Sequence, residues 1–159
     1  MAHITIEYMI MLPMLILQIF LFPLTASWLM NIWVDSRRTL ALQEAASHLG
    51  STLQQLYFSL NHETISAGTA TYSPGLPPFI ENYNYVGNAT LRAVSASANS
   101  SKVLSITLVL VKTGITVTTL VTLGSNVQWQ SSAFVSNSTN ALVSAEKLWD
   151  GTIRLYFGG

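Results

Sequence analysis

The chain has no cysteine, so disulfides and thiolate metal sites are both excluded. Charge is nearly as scarce. Only 9% of the 159 residues are charged, seven Lys or Arg against seven Asp or Glu, for a formal net charge of zero. A nucleic-acid-binding surface normally shows as a cluster of basic residues. Here the basic residues are scattered and only Arg37 and Arg38 are adjacent, so the sequence supplies no electrostatic case for nucleic acid. Histidine occurs at His3, His48 and His62 and nowhere later, which leaves the C-terminal part without the imidazole that a Ser-His-Asp arrangement or a His-based metal centre needs. His48 and His62 are 14 positions apart on a helical pattern, about four turns, and cannot share a metal within one chain. Neither G-x-x-x-x-G-K-[S/T] nor G-x-G-x-x-G is present. The acids Glu81, Glu146 and Asp150 fall in no recognisable paired spacing. No catalytic residue, cofactor site or metal site is therefore expected, and no solenoid repeat is visible.

What the chain does have is apolarity, and it is unevenly spread. Half the residues are hydrophobic, and positions 8–34, between Glu7 and Asp35, hold no charge at all. That run is longer than the ~20 residues needed to cross a bilayer core. It is also about twice the ~7–15 residues of a secretory signal's apolar region, and it continues without a break into a helix-like sequence, so it is expected to stay in the mature protein. Its polar exceptions are Gln18, Thr25, Ser27 and Asn31. A helix apolar on every face must be buried, in lipid or in protein. Pro13 and Pro23 lie inside the run; each removes a backbone donor and predicts a local bend or loosening.

The pattern then becomes amphipathic. Leu42, Leu49, Leu53, Leu56 and Leu60 recur at spacings of 7, 4, 3 and 4, one face of a helix. One long helix is predicted from Ile6 to about Leu60, within a helical segment 1–60; about 55 residues at ~1.5 Å each make a rod of roughly 80 Å. Residues 61–82, with Asn61, Gly68, Ser73-Pro74-Gly75 and Pro77-Pro78, read as a loop. From 83 to 159 the period falls to two. Leu104, Ile106, Leu108 and Leu110 alternate with smaller or polar residues, Lys112-Thr113-Gly114 turns the chain, and Ile115, Val117, Thr119 and Val121 resume the alternation. Further strands are predicted over Tyr85–Ala96 and Val127–Val135, and a hairpin joins Val143–Trp149 to Thr152–Phe157 through Asp150-Gly151. The predicted fold is α+β: a long helix, apolar and then amphipathic, packed against an antiparallel β-sheet head of five or six strands. Trp129, Trp149, Tyr156 and Phe157 are expected in its core.

Immediately before the apolar run stands His3-Ile4-Thr5-Ile6-Glu7-Tyr8-Met9. This stretch resembles the start of mature archaeal type IV pilins, in which a polar residue, an aliphatic, Ser or Thr and a second aliphatic precede a glutamate, an aromatic and a long apolar helix. The match covers the N-terminal third, and the order of long helix then β head extends it over the chain as a pilin-like lollipop. If the mature chain begins at His3, Glu7 is its fifth residue, where the family places its glutamate. His3 replaces the family's usual Gln. Only Met1 and Ala2 precede it, so either a basic leader missing from this sequence or a mature start near Met1 is expected. A leader would also resolve an orientation conflict, since Arg37 and Arg38 alone would hold the C-terminal side in the cytoplasm.

The resemblance implies a homopolymeric extracellular filament for adhesion or surface attachment. It implies helices held in the cytoplasmic membrane before assembly, a prepilin peptidase and pilus assembly machinery as partners, and surface ligands for the heads. His3, Glu7, Pro13 and Pro23 are then the candidate assembly residues. A carboxylate beside an apolar helix must be paired or neutral. The resemblance supplies the α-amine of a neighbouring chain as partner, whereas a helix N-terminus in the headgroup zone is the alternative. Sequons at Asn88, Asn99 and Asn137 make a glycoprotein the expectation, and all three are placed near predicted turns or strand ends. Two other readings remain open from sequence: a minor pilin or pseudopilin, and a single-span membrane protein with an extracytoplasmic β binding domain.

Overall fold

A computed structural model describes residues 2–97 and 100–158, with side chains described from Met9 onward. The fold class is α+β. One helix, α1 (Ala2–Leu60), precedes eight strands: β1 (Gly68–Tyr72), β2 (Tyr85–Ala93), β3 (Lys102–Leu110), β4 (Thr116–Leu123), β5 (Val127–Trp129), β6 (Ala133–Val135), β7 (Leu142–Lys147) and β8 (Ile153–Gly158). The chain divides into two compact units between Arg37 and Arg38, so the amphipathic part of α1 belongs to the same unit as the strands.

In the unit Arg38–Gly159 the helix supplies the floor of the core. Leu42, Leu49, Leu53 and Leu60 of the predicted stripe are buried, Leu56 is partly so, and Ala45, Ala46 and Tyr57 widen the same face. This is the stripe that a 3.6-residue period presents to one side. A β-carbon at Gly50 would stand 2.8 Å from Val121 Cγ2, so a larger residue there forces the Val121 side chain to shift. At its C-terminus the helix leaves carbonyls unsatisfied. Just beyond it, Lys147 Nζ donates to the carbonyls of His62 and Ile65, both at 2.9 Å, fastening the exit of the chain to β7.

The strands form two four-stranded sheets, ordered β1-β7-β8-β5 and β4-β3-β2-β6. The expectation of five or six antiparallel strands is corrected in three ways. Gly68–Tyr72, inside the stretch read as loop, pairs antiparallel with β7 from Gly68↔Lys147 to Tyr72↔Val143. Its short, polar GTATY sequence carries no apolar alternation, so only the pairing reveals it. Secondly, the strand predicted over Val127–Val135 is two strands in different sheets. Gln130 N donates to Leu155 O and Phe157 N donates to Ser132 Oγ as the chain crosses between them. A sandwich closes its corners with such strand switches. Thirdly, β5 runs parallel to β8, Val127↔Ile153 to Trp129↔Leu155, because it arrives from β4 of the other sheet rather than through a hairpin.

The β3–β4 hairpin is as predicted. Leu104, Ile106, Leu108 and Leu110 are buried, opposite Val117 and Val121, and the turn places Lys112 at φ 72° and Gly114 at φ 73°. The β7–β8 hairpin also forms around Asp150-Gly151, with Leu148 N bonded to Thr152 O and Gly151 at φ 82°. Of the four aromatics expected in the core, Phe157 is buried and packs edge-on to Trp129 at 4.9 Å between centroids. Trp129 and Tyr156 are half-buried. Trp149 is not in the core at all: it is 93% exposed. The register of β7 ends at Lys147, so the inward–outward alternation no longer governs residue 149.

A third tight turn fastens the start of the head's helix. Ile80 and Tyr83 exchange both backbone hydrogen bonds across Glu81 (φ 47°) and Asn82 (φ 74°). Left-handed backbone at two successive non-glycine residues is strained, and here it presents Glu81 to Arg38. Arg38 Nε donates to Glu81 Oε2 at 2.8 Å while its guanidinium lies over the Tyr83 ring.

Tyr85 anchors the middle of the core. Its ring is fully buried and its hydroxyl donates to Pro77 O at 2.9 Å. Desolvation pushes its phenol up to about 12 from the ordinary 10.0. The folded state therefore holds this proton more tightly than the unfolded chain does. The resulting stability is complete below about pH 10 and is lost as the pH rises through about 12. In that window, stability measured by near-ultraviolet circular dichroism is expected to fall by at most about 1.4 kcal/mol per pH unit from this group. Tyr85→Phe should flatten that slope.

Candidate functional site: an exposed apolar helix

The described part of the first unit, 2–37, is helix alone, and its chemistry is that of its side chains. From Met9 to Trp33 the described large apolar side chains are exposed, Met9, Phe22, Leu24 and Trp28 among the most open. This is one helix long and apolar enough, by length and composition, to cross a membrane. Water does not tolerate so much continuous apolar surface; contiguous patches beyond a few hundred Å² mark a site of interaction.

The helix runs through Pro13 and Pro23 without interruption. Pro23 lacks the N–H that would have bonded the carbonyl one turn back, at Ile19. Close by, the Thr25 hydroxyl lies 3.1 Å from Leu21 O and 2.9 Å from Phe22 O, so its proton is satisfied within the helix. A shallow groove of about 660 Å³ follows the same turns, lined by Leu15, Gln18, Ile19, Leu21, Phe22, Pro23 and Thr25. Pro23 and Gln18 thus share one face of the span. Pro13 lies outside that groove.

The C-terminal limit of the apolar run is marked by Arg37, whose guanidinium lies 5.1 Å from the centre of the Trp33 ring. The pair is spaced i, i+4, which places both on one helix face. An aromatic ring with a cation stacked on it at the end of an apolar run is the pairing found at membrane interfaces. The sequence carried this signal in the Trp33–Arg37 spacing, which the reading of composition alone passes over.

The candidate assembly residues His3 and Glu7 fall within α1, but their side chains lie outside the described residues. In the head, the three sequon asparagines are not alike. Asn137 is exposed in the turn after β6, as expected. Asn88 is also exposed but sits inside β2, paired with Thr107 on one side and Ala133 on the other, rather than at a turn. Alternation along β2 carries it to the outer face, opposite the buried Tyr85 and Gly87. Asn99 lies outside the described residues.

The outer face of the β4-β3-β2-β6 sheet is a field of hydroxyls, with Thr107 and Thr118 3.1 Å apart across the strands and Leu120 exposed among them. Among the described residues no group of three or more His, Cys, Asp or Glu is placed to hold a metal ion. The arrangement is suited to association, with an apolar rod for one kind of neighbour and a polar sheet for solvent. No protein-family model matches this chain, and no curated protein or solved structure matches it either.

Proposed function

We propose that this chain is a structural subunit of an extracellular type IV pilus-like filament, assembled by bundling of its N-terminal helices and serving adhesion or surface attachment. The observation that carries the reading is the continuity of α1. The same helix that exposes uncharged apolar side chains from Met9 to Trp33 goes on to supply Leu42, Leu49 and Leu53 to the core of the head. A plain anchor has no need to continue as the central element of the domain it tethers.

On this reading the span resides in the cytoplasmic membrane until a prepilin peptidase and the assembly machinery release it. It then exchanges lipid contacts for contacts with identical helices. Burial from water is worth ~25 cal/mol per Å² of apolar surface, but lipid is as apolar as leucine, so the gain on extraction is far smaller. Close packing and polar pairing then select the register. Glu7, paired with the α-amine of a neighbour, supplies that selection. The heads face outward, carrying glycans at the sequons and meeting surface ligands. The chain's role is assembly, with no catalytic step.

Glu7→Ala is expected to reduce surface filaments severalfold while the protein remains in the membrane fraction, as counted by electron microscopy and fractionation. Undiminished filaments would remove Glu7 from assembly. Mass spectrometry of sheared filaments tests the wider reading: the chain should dominate them, beginning at or near His3. Presence only in trace amounts would mark a minor pilin. The Arg37–Trp33 stack favours a second reading, a single-span anchor for a β binding domain. Absence from fibres, with the chain retained in membranes, would establish that reading instead.

A further inference from the structure

The head unit leaves one large side chain almost wholly in water. Trp149 is 93% exposed at the apex of the β7–β8 turn, while Phe134 and Phe157 of the same unit are buried. The turn that carries it is held firmly. Asn126 Nδ2 donates to Gly151 O at 3.0 Å and to Asn61 Oδ1 at 2.8 Å, and Thr152 N donates to Asp150 Oδ1. An indole on a fixed turn loses little freedom when it is covered, and burying it removes roughly 150–250 Å² from water.

The same unit also carries an unfilled groove of about 310 Å³, where the helix passes the Pro74–Ile80 segment. Ala41, Ala45, Leu76, Pro77 and Ile80 make its walls largely apolar, and the Glu44 carboxylate adds a negative charge. Its size is at the lower end of ligand pockets, ~300 Å³, enough for one aromatic side chain and too small for a helix or strand. The groove lies beside helix residues 41–48, whereas the Trp149 turn is tied to Asn61 at the helix's C-terminal end. From His48 to Asn61 is roughly 20 Å along the helix axis at 1.5 Å per residue. A chain's own indole therefore cannot fill its own groove, but that of a second copy displaced along the axis can.

We propose that Trp149 of one copy seats in the Ala41–Leu76–Pro77 groove of the next, a proposal that rests on the filament reading. Knob and groove are different surfaces of one molecule, and on the filament reading successive copies join them head to tail rather than exchanging them in a closed pair. The contact then repeats without closing, as an open helical polymer requires.

The absence of native cysteine makes the test clean. Trp149→Cys and Leu76→Cys are introduced together in the full-length chain, which is then oxidised both as sheared filaments and in detergent at high concentration. Intramolecular closure is excluded, because a disulfide needs Cα atoms within about 7 Å. The expected result is a covalent ladder beyond dimer on a non-reducing gel, with at most dimers from either single variant. Trp149→Cys with Ala41→Cys should give the same ladder and covers a failure of the Leu76 variant to fold. Trp149→Cys with Thr118→Cys, on the outer face of β4, should not. Filaments that form without a ladder, or a Thr118 ladder of equal yield, would overturn the contact. If microscopy of the unsubstituted chain finds no filaments, the filament reading fails separately. The contact is then judged by the detergent sample, where a ladder supports it and monomers overturn it.

Discussion

Leu42→Ala should lower the unfolding free energy of the head by about 2–5 kcal/mol, the range for removing a fully buried leucine and leaving a cavity. Leu40→Ala, two positions earlier on the same helix, should change it by no more than about 0.5 kcal/mol. The two residues are chemically identical and differ only in the face they occupy: Leu42 is 0% exposed and Leu40 is 67% exposed. Around Leu42, Ala45, Ala46 and Leu49 continue a face packed against the core formed with both sheets. Chemical unfolding of the detergent-solubilised chain, followed by near-ultraviolet circular dichroism, measures both variants. Detergent matters for the comparison, since a subunit neighbour in a filament is free to cover Leu40. Equal losses at the two positions would mean that the helix does not present the Leu42–Leu49–Leu53 face to the head.

Asn126→Asp should destabilise the head by roughly 2–4 kcal/mol at pH 7, far more than the same change at the exposed turn residue Asn137, expected within about 0.5 kcal/mol. Asn126 joins three elements through one amide. Tyr57 Oη donates to its Oδ1 at 2.8 Å, its Nδ2 donates to Asn61 Oδ1 and to Gly151 O, and its own carbonyl accepts from Ile153 N. A carboxylate retains the bond from Tyr57 and loses both donors, leaving negative charge against two carbonyl oxygens. The deficit should shrink as the pH falls and the new carboxyl takes up a proton, because a protonated acid again supplies one donor. A thermal unfolding series between pH 7 and pH 3 reads this directly, and a deficit that grew on acidification would contradict the network. Gly124 belongs to the same joint. A β-carbon there would overlap Tyr57 Oη, so a larger residue would push the phenol away from its bond to Asn126. Desolvation raises the Tyr57 phenol, with a backbone hydrogen bond from Gly124 acting the other way, so at neutral pH it remains a donor to Asn126.

Much of this was legible before any coordinates. The change from an all-apolar run to a leucine stripe needs only the helical period, and the buried Leu42, Leu49 and Leu53 lie where that period puts them. The β3–β4 hairpin was equally plain, because four alternating aliphatics, a Lys-Thr-Gly turn and a second alternating run are all local signals. The joint at Asn126 left no such trace. Its partners Tyr57, Asn61 and Gly151 lie up to 69 positions away, and an asparagine after Gly-Ser reads simply as a turn.

By itself the sequence determined the elements whose cause is local. These are the uncharged span between Glu7 and Asp35, the helix that prolongs it, the two hairpins whose turns are written in Gly and Asp, and the absence of any thiol chemistry. Only the tertiary structure decided how the strands share out. It recruited the polar stretch Gly68–Tyr72 into a sheet, split Val127–Val135 between two sheets, and set β5 parallel to β8. It also left Trp149 in water while Phe157 went inside. Those outcomes depend on which backbone edge is vacant and on where register ends. Both are properties of strands distant in sequence, and no window of neighbouring residues contains them.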